Sequence, residues 1–186
     1  MLGLQVSHSV DTDGGSKQAL RKAAAQRRRA WGAVSGLDAI VGPLLGQTGE
    51  VAAYLPVSLE PFVTSQPGWL LPVLLPDGDL DWAVDTGDYA LNGLGIREPV
   101  GPRLGVDAIA RCDLVLVPAL LVDRQGHRLG RGGGSYDRAL TRATGLTVAL
   151  LHDGELVDQL PHEAHDVPVR AVATPALGVV RLPQGQ

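Results

Sequence analysis

The feature that most constrains this chain is an apolar run at residues 114–122, followed by a polar turn and a glycine-rich segment. The nine residues of the run, LVLVPALLV, have the length and β-branched content of a strand buried on both faces. Gly130, Gly132, Gly133 and Gly134 come next, and SYDRALTRATG after them reads as a helix. The order of strand, glycine loop and helix is typical of a phosphate site.

The glycine loop suits an anion for physical reasons. Glycine adopts backbone angles closed to other residues, and the first amides of the following helix lack intrahelical partners. Arg128 and Arg131 flank the loop and add positive charge. The loop is not a P-loop, because no lysine follows its glycines. It also does not match the dinucleotide-binding fingerprint, which would need glycine or alanine where Ser135 stands. A glycine-rich surface turn without a ligand is the alternative.

Length and composition limit the classes of protein that fit. A chain of 186 residues with 45% hydrophobic content is enough for one domain with a core of its own. A net charge of -4 gives no general attraction to nucleic acid or to anionic membranes, so phosphate binding must come from a local cluster. No segment approaches the roughly 18 apolar residues that span a bilayer. The single cysteine, Cys112, fits a reducing compartment, and we expect a cytoplasmic monomer.

The chain is predicted to begin with a mobile tail at residues 1–15 and to continue as one α/β domain at residues 16–186. Ser16 can cap a helix through KQALRKAAAQRRRAW. We expect one face of this helix to enter the core through Leu20, Ala24 and Trp31.

Two cations lie together near the start of that helix. Lys17 and Arg21 are four residues apart, so they share a face on which they could meet a phosphate. The alternative is a pair of ordinary solvated charges. The three arginines at residues 27–29 are interpreted as a solvated face.

The remaining strands predict the fold class. EVAAYLPV, WLLPVLLP, LDWAVDTG and LTVALLHD read as strands, with a last strand near the C-terminus. Trp69 and Trp82 are interpreted as core residues, and residues 88–105 as an irregular loop. Alternation of apolar strands with helices predicts a single three-layer domain, in which helices flank a predominantly parallel sheet.

Several motifs together resemble one known family, the 5-formyltetrahydrofolate cyclo-ligases, also called 5,10-methenyltetrahydrofolate synthetases. The most specific is VPALLVDRQGHRLGRGGGSYDR, which contains the glycine loop. The others are Lys17 with Arg21, Tyr54-x-Pro56 followed by Glu60, the run GIREP at residues 95–99, and PHEAHD at residues 161–166. The chain departs from the family at Ser135, where many members have a tyrosine before the one that matches Tyr136.

The resemblance implies an enzyme that uses ATP and Mg²⁺ to convert 5-formyltetrahydrofolate to 5,10-methenyltetrahydrofolate. By the family's pattern, Lys17 and Arg131 would act in phosphoryl transfer, and Asp137 and Asp166 would bind the metal. The nucleotide would contact Lys17, Arg21, Arg128, Gly130, Arg131, Gly132, Gly133, Gly134, Ser135 and Tyr136. The folate would contact Tyr54, Leu55, Glu60 and Tyr136.

Other functions stay open on the residues alone. A non-catalytic nucleotide- or folate-binding module could use the same scaffold, and a sugar-phosphate isomerase would need a proton-abstracting acid but no ATP. His152, His162 and His165 suggest a zinc site, but with one cysteine in the chain we do not expect a structural one. The expected partners are therefore small molecules, with neither nucleic acid nor a membrane among them.

Overall fold

The computed structural model describes residues 16–183, so the predicted tail at residues 1–15 lies outside the described part. The helices are α1 Lys17–Trp31, α2 Leu37–Leu45, α3 Ser135–Leu140 and a 3-10 helix Val106–Arg111. The strands are β1 Val51–Ala52, β2 Leu70–Leu74, β3 Leu80–Val84, β4 Tyr89–Leu91, β5 Arg97–Pro99, β6 Leu114–Pro118, β7 Leu121–Asp123, β8 Arg128–Leu129, β9 Leu146–Leu150, β10 Leu156–Val157, β11 Ala171–Thr174 and β12 Gly178–Arg181. Within residues 16–183, no helix combines the length and the apolar character needed to cross a bilayer.

A seven-stranded sheet forms the centre of the domain, in the order β12-β11-β9-β6-β1-β2-β3. The five inner strands run parallel, while β12 and β3 are antiparallel at the two edges. The prediction of a predominantly parallel α/β sheet is confirmed. Trp69 and Trp82 are also core residues as predicted, with exposed fractions of 8% and 0%.

Alternate residues of β6 enter two different hydrophobic clusters. Leu114 and Leu116 pack in one cluster with residues of α2, and Val115 and Val117 pack in the other with residues of α3 and the 3-10 helix. Successive side chains of a strand point to opposite faces. The sheet is therefore covered by helices on both sides, which gives the expected three layers.

The apolar run at residues 114–122 is not one strand. Its first part is β6 in the large sheet, and its last part belongs to β7 in a separate three-stranded sheet of order β10-β7-β8. The chain changes sheets at Ala119 and Leu120, where the Leu120 amide donates to the carbonyl of Leu129 at 2.8 Å. Since both strands are buried, apolar composition alone does not separate them.

Helix α1 packs on the small sheet. The Ser16 hydroxyl accepts a hydrogen bond from the Ala19 amide at 3.2 Å, which confirms the predicted cap. Leu20 and Ala24 are buried against strands of that sheet, but the prediction for Trp31 is wrong, because its ring is 46% exposed at the last residue of the helix.

The interpretation of residues 27–29 as a solvated face is wrong for Arg28, which is buried, while Arg29 is exposed. Its guanidinium forms two hydrogen bonds of 2.7 Å with the Glu155 carboxylate and donates to the Ala119 carbonyl at 2.5 Å. Glu155 also accepts from the His152 amide at 2.9 Å. This buried pair joins α1 to the ends of β6 and β9.

Two further predictions need correction. The predicted strand EVAAYLPV is reduced to β1, because after Ala53 the chain leaves the sheet and the buried Tyr54 hydroxyl donates to the carbonyl of Pro61. The predicted irregular loop at residues 88–105 contains the hairpin β4–β5. The Asn92 side chain holds the hairpin turn, because its oxygen accepts from the amides of Leu94 and Ile96 at 2.9 and 3.0 Å.

Candidate functional site

All the residues predicted for the site line one cavity. It lies where β1 and β6 reach their carboxyl ends, and α1, the glycine loop and the hairpin β4–β5 complete its walls. In parallel sheets, ligands bind in the crevice outside the carboxyl ends of the strands. The structure thus brings together residues that lie far apart along the chain, while the role of each stays a prediction.

The glycine loop presents free amides to this cavity. Gly132 has φ +105° and Gly134 has φ +70°, angles that favour glycine. Within the described residues 16–183, the amides of residues 130–134 donate to no protein acceptor. Helix α3 is shorter than the sequence predicted and has only 6 residues, so the anion cradle is chiefly the loop itself.

Arg21 supports the loop from α1. Its Nε donates to the Gly130 carbonyl at 2.9 Å. A Cβ at Gly132 would lie 3.2 Å from the Arg21 Cζ, so the guanidinium and the glycine backbone pack closely. The positive charge of α1 therefore lies directly beside the free amides.

Lys17 binds two carboxylates at the neighbouring edge of the cavity. Its Nζ lies 3.0 Å from Asp166 and 3.1 Å from Glu163. Burial would lower the pKa of Lys17, but the hydrogen bonds with the two acids raise it above its usual value. Burial would likewise raise the pKa of Asp166, but hydrogen bonds from the Glu163 amide and from Lys17 lower it. The site thus keeps both groups charged at neutral pH.

Arg128 is buried beside Asp137. Its Nη2 donates to the Asp137 carboxylate at 2.6 Å and its Nη1 to the Val167 carbonyl at 2.5 Å. Burial lowers the pKa of Arg128, opposed by the charge of Asp137, although a guanidinium stays protonated in proteins. Since Val167 follows Asp166, this arginine also fixes the segment that carries the second predicted metal ligand.

Arg131 and Glu60 pair across the opening of the cavity. The Arg131 Nε lies 2.8 Å from Glu60 Oε1, and its Nη2 donates to the Val57 carbonyl at 2.8 Å. The other Glu60 oxygen accepts from the Val57 amide at 2.9 Å. The arginine predicted for phosphate and the acid predicted for folate are therefore direct neighbours.

The two tyrosines of the site differ in their hydroxyl contacts. Burial raises the pKa of both phenols, so both are neutral at physiological pH. The Tyr54 hydroxyl is bonded within the protein, whereas the buried Tyr136 hydroxyl has no partner among residues 16–183. The Tyr136 hydroxyl is thus a buried polar group without a partner in the described residues, on a side chain that lines the cavity.

The sequence prediction missed one wall of the cavity. Apolar side chains from β2, β3 and the hairpin turn line it, and Glu98 of β5 lies among them. The apolar members are Pro72, Leu74, Leu80 and Ile96. Glu98 belongs to the GIREP run, which was noticed only as a family motif. The spacing of the GIREP residues does not show that β5 packs beside the end of β2. The place of Glu98 in the cavity therefore becomes visible only from the contact between these two strands.

Asp137 and Asp166 fit a magnesium site. Asp137 uses Oδ1 in its ion pair with Arg128, and Asp166 uses Oδ2 in its ion pair with Lys17. The oxygens outside these two pairs are Asp137 Oδ2 and Asp166 Oδ1, and the second of them lies 3.7 Å from His165 Nε2. Magnesium commonly takes one or two carboxylates together with substrate phosphates and water. The donor set is therefore suitable, although two of its neighbours are cations.

A different cluster contains the donors that zinc prefers. Asp123, His127 and His162 place one ligand atom each within 4.8 Å of one another. The two imidazoles are stacked, with centroids 3.7 Å apart and planes at 3°. Because the ring lone pairs lie in parallel planes, they do not converge on one ion, so this arrangement does not favour zinc.

Comparisons with known proteins agree on one family. The model of the 5-formyltetrahydrofolate cyclo-ligase family matches residues 13–175. The chain is 40% identical over 181 residues to a 5-formyltetrahydrofolate cyclo-ligase of Mycolicibacterium smegmatis, covering 89% of each chain. It is 38% identical over 92 residues to the protein of the same name from Escherichia coli strain K12, covering 48% of this chain and 50% of the other.

Solved structures resemble the whole domain. The NMR structure of a 5,10-methenyltetrahydrofolate synthetase from Aquifex aeolicus has a TM-score of 0.70 at 27% identity, covering 91% of this chain and 94% of the other. A synthetase of the same name from Mycoplasma pneumoniae has a TM-score of 0.63 at 19% identity, covering 85% and 98%. The second likeness supports the fold alone.

Proposed function

The chain belongs to the 5-formyltetrahydrofolate cyclo-ligase family, and from this membership we propose that it converts 5-formyltetrahydrofolate to 5,10-methenyltetrahydrofolate while ATP becomes ADP and phosphate. The observation that carries the proposal is the convergence of free loop amides, cations and carboxylates on one cavity. A binding module would need only part of this set. The combination suits a reaction that must hold a triphosphate and align a second substrate with it.

The proposed reaction has two steps. The formyl oxygen of the folate attacks the γ-phosphorus of ATP, which forms a new P–O bond and breaks the bond to the leaving ADP. N10 of the folate then attacks the activated formyl carbon, its proton is lost, and phosphate leaves with the former formyl oxygen. Both substrates supply the reacting atoms, so the enzyme needs no nucleophile of its own.

The chain's contribution is alignment and charge. Phosphoryl transfer depends mainly on positioning and on electrostatic stabilisation of the transferred group. The amides of Gly132, Gly133 and Gly134 would bind phosphate oxygens, with Arg21 behind them. Lys17, which pairs with Asp166, and Arg131, which pairs with Glu60, would stabilise the charge that develops on the γ-phosphoryl group.

Asp137 and Asp166 would hold Mg²⁺ through the carboxylate oxygens that do not contact Arg128 and Lys17. The ion would supply charge neutralisation for the phosphate oxygens when it is bound. Lys17 and Arg128 orient these aspartates, as their hydrogen bonds of 3.0 and 2.6 Å indicate. Their charge also limits how strongly the two acids alone would attract a cation, so we expect metal and nucleotide to bind together.

The folate would lie beside Tyr54, Leu55, Glu60 and Tyr136. Glu60, which would contact the folate, lies 2.8 Å from Arg131, which would contact the phosphate. This contact supports the transfer of a phosphoryl group between two ligands held in one cavity. Because Ser135 stands where many family members have a second tyrosine, Tyr136 is the aromatic residue of the loop.

The test is a spectroscopic assay with purified protein, Mg-ATP and 5-formyltetrahydrofolate. We expect the absorbance of the methenyl product to rise only when all three are present, and ADP to form in equal amount. Normal binding of both ligands without product would instead support the non-catalytic module. Arg131→Gln should lower kcat much more than it changes the affinity for folate, whereas an unchanged kcat would remove Arg131 from the phosphoryl-transfer role.

We also propose that the protein acts as a cytoplasmic monomer on these small molecules. Its net charge of -4 does not favour polyanions. Size-exclusion chromatography with light scattering would measure the mass of the particle, and a mass of twice 19.5 kDa would contradict the monomer.

A further inference from the structure

A carboxylate in the cavity is not used by the reaction described above. Glu98, on β5, lines the cavity beside Leu74, Leu80 and Ile96. Its Oε1 accepts two hydrogen bonds, from the Leu74 amide at 2.9 Å and from the Asn92 side chain at 2.8 Å. These bonds attach the hairpin to β2 and fix the position of the carboxylate.

The second oxygen of this carboxylate is available. Within residues 16–183, Glu98 forms no ion pair, and Oε2 accepts no hydrogen bond. Lys17, Arg128 and Arg131 are each paired with other acids of the site. Arg97 also lines the cavity, but it forms no ion pair with Glu98 in the described residues. A carboxylate outside any ion pair and beside apolar side chains repels phosphate and attracts an N–H donor.

We propose that Glu98 Oε2 binds the pteridine ring of the folate through the ring's N–H donors. This inference rests on the proposed function and names a specificity residue for it. The 2-amino group and the adjacent N3–H of a pteridine form a contiguous donor edge, which complements a carboxylate. Adenine offers a 6-amino donor beside the N1 lone pair, and that lone pair opposes a carboxylate. The apolar neighbours of Glu98 match the flat ring.

Glu98→Gln tests the proposal with little disturbance of the hairpin. The amide oxygen of glutamine can keep accepting from Leu74 and Asn92, while an NH₂ donor replaces Oε2. A donor would then face the donors of the pteridine. We expect KM and the directly measured Kd for 5-formyltetrahydrofolate to rise by about 10- to 100-fold, because hydrogen bonds to charged groups have this effect. KM and Kd for Mg-ATP should change less than about twofold, within the scatter expected for a residue without contact.

Asn92→Ala serves as the control for a purely structural role. It removes one bond to Glu98 Oε1 and the side chain that orders the hairpin turn, while Glu98 keeps both oxygens and its bond from the Leu74 amide. The proposal expects a much smaller change in folate affinity than in Glu98→Gln. Equal effects of the two variants, or equal losses for folate and ATP, would overturn it.

The wild-type protein separates this inference from the proposed function. If the wild type makes no methenyl product, the proposed function fails, whatever the variants do. If the wild type makes product and Glu98→Gln binds folate normally by calorimetry, only the role of Glu98 fails.

Discussion

Replacing Glu155 by glutamine should destabilise the fold strongly, although Glu155 lies outside the cavity. The Arg28 side chain is 4% exposed and that of Glu155 is 0% exposed, and they share two hydrogen bonds of 2.7 Å. Removing one charge of a buried pair leaves the other uncompensated and costs about 3–5 kcal/mol. This is a large part of the roughly 5–15 kcal/mol that stabilises a typical domain.

The assay is urea unfolding followed by tryptophan fluorescence, since Trp69 and Trp82 are buried. Asp158→Asn is a matched control, because the Arg124–Asp158 pair is 68% and 84% exposed and should contribute about 0–1 kcal/mol. If Glu155→Gln lowers the unfolding free energy no more than Asp158→Asn does, the reasoning about the buried pair is refuted.

A double variant separates charge from packing. Arg28→Met with Glu155→Leu removes both charges and leaves the Ala119 carbonyl and the His152 amide without their partners. Each such group costs about 1–3 kcal/mol, so the double variant should lose roughly 2–6 kcal/mol, less than the sum of the two single losses. A double variant that loses the full sum would show that the two residues act independently.

Three further predictions concern the site. Gly132→Ala should raise KM for ATP about tenfold, because φ +105° strains alanine by about 1–2 kcal/mol. Gly130→Ala is the control and should change KM for ATP little, because nothing lies within 4 Å of the added Cβ. Equal effects of the two variants on KM would contradict this reasoning. Asp137→Asn should abolish metal-dependent turnover while circular dichroism remains native, and an unchanged rate at limiting Mg²⁺ would exclude Asp137 as a ligand. The lowered pKa of Asp166 means that its pairing with Lys17 stabilises the fold fully above about pH 4 and is lost as pH falls through the folded pKa. Between about pH 5 and about pH 2, the unfolding free energy of Asp166→Asn should therefore fall less than that of the wild type. Parallel plots of unfolding free energy against pH for the two proteins would contradict this.

The sequence was sufficient to predict the sheet class and to name residues that line one cavity, because the strands and the glycine loop both depend on local patterns. Buried strands are short apolar runs, and the glycine loop needs unusual backbone angles that only its composition can supply. Family motifs then added Lys17 and Asp166, which lie at opposite ends of the described chain and meet in the cavity.

The features that were not predicted depend on contacts between distant segments. Arg28 looked like a surface residue because burying a charge is costly, and its partner Glu155 lies 127 positions later. Glu98 became visible only when β5 was placed beside β2. The length of an apolar run likewise did not show that the chain changes sheets at Ala119.

That change of sheets has a consequence for how the chain can vary in length. One continuous segment supplies a central strand to the large sheet and, after two residues, a strand to the small one. Because side chains alternate along a strand, a single inserted or deleted residue in this segment would turn one of the two strands over relative to its neighbours. The hairpin turn near Gly93, where an added Cβ meets nothing within 4 Å, has room for such changes. We therefore expect libraries of single-residue insertions to be tolerated near Gly93 and eliminated between residues 114 and 123.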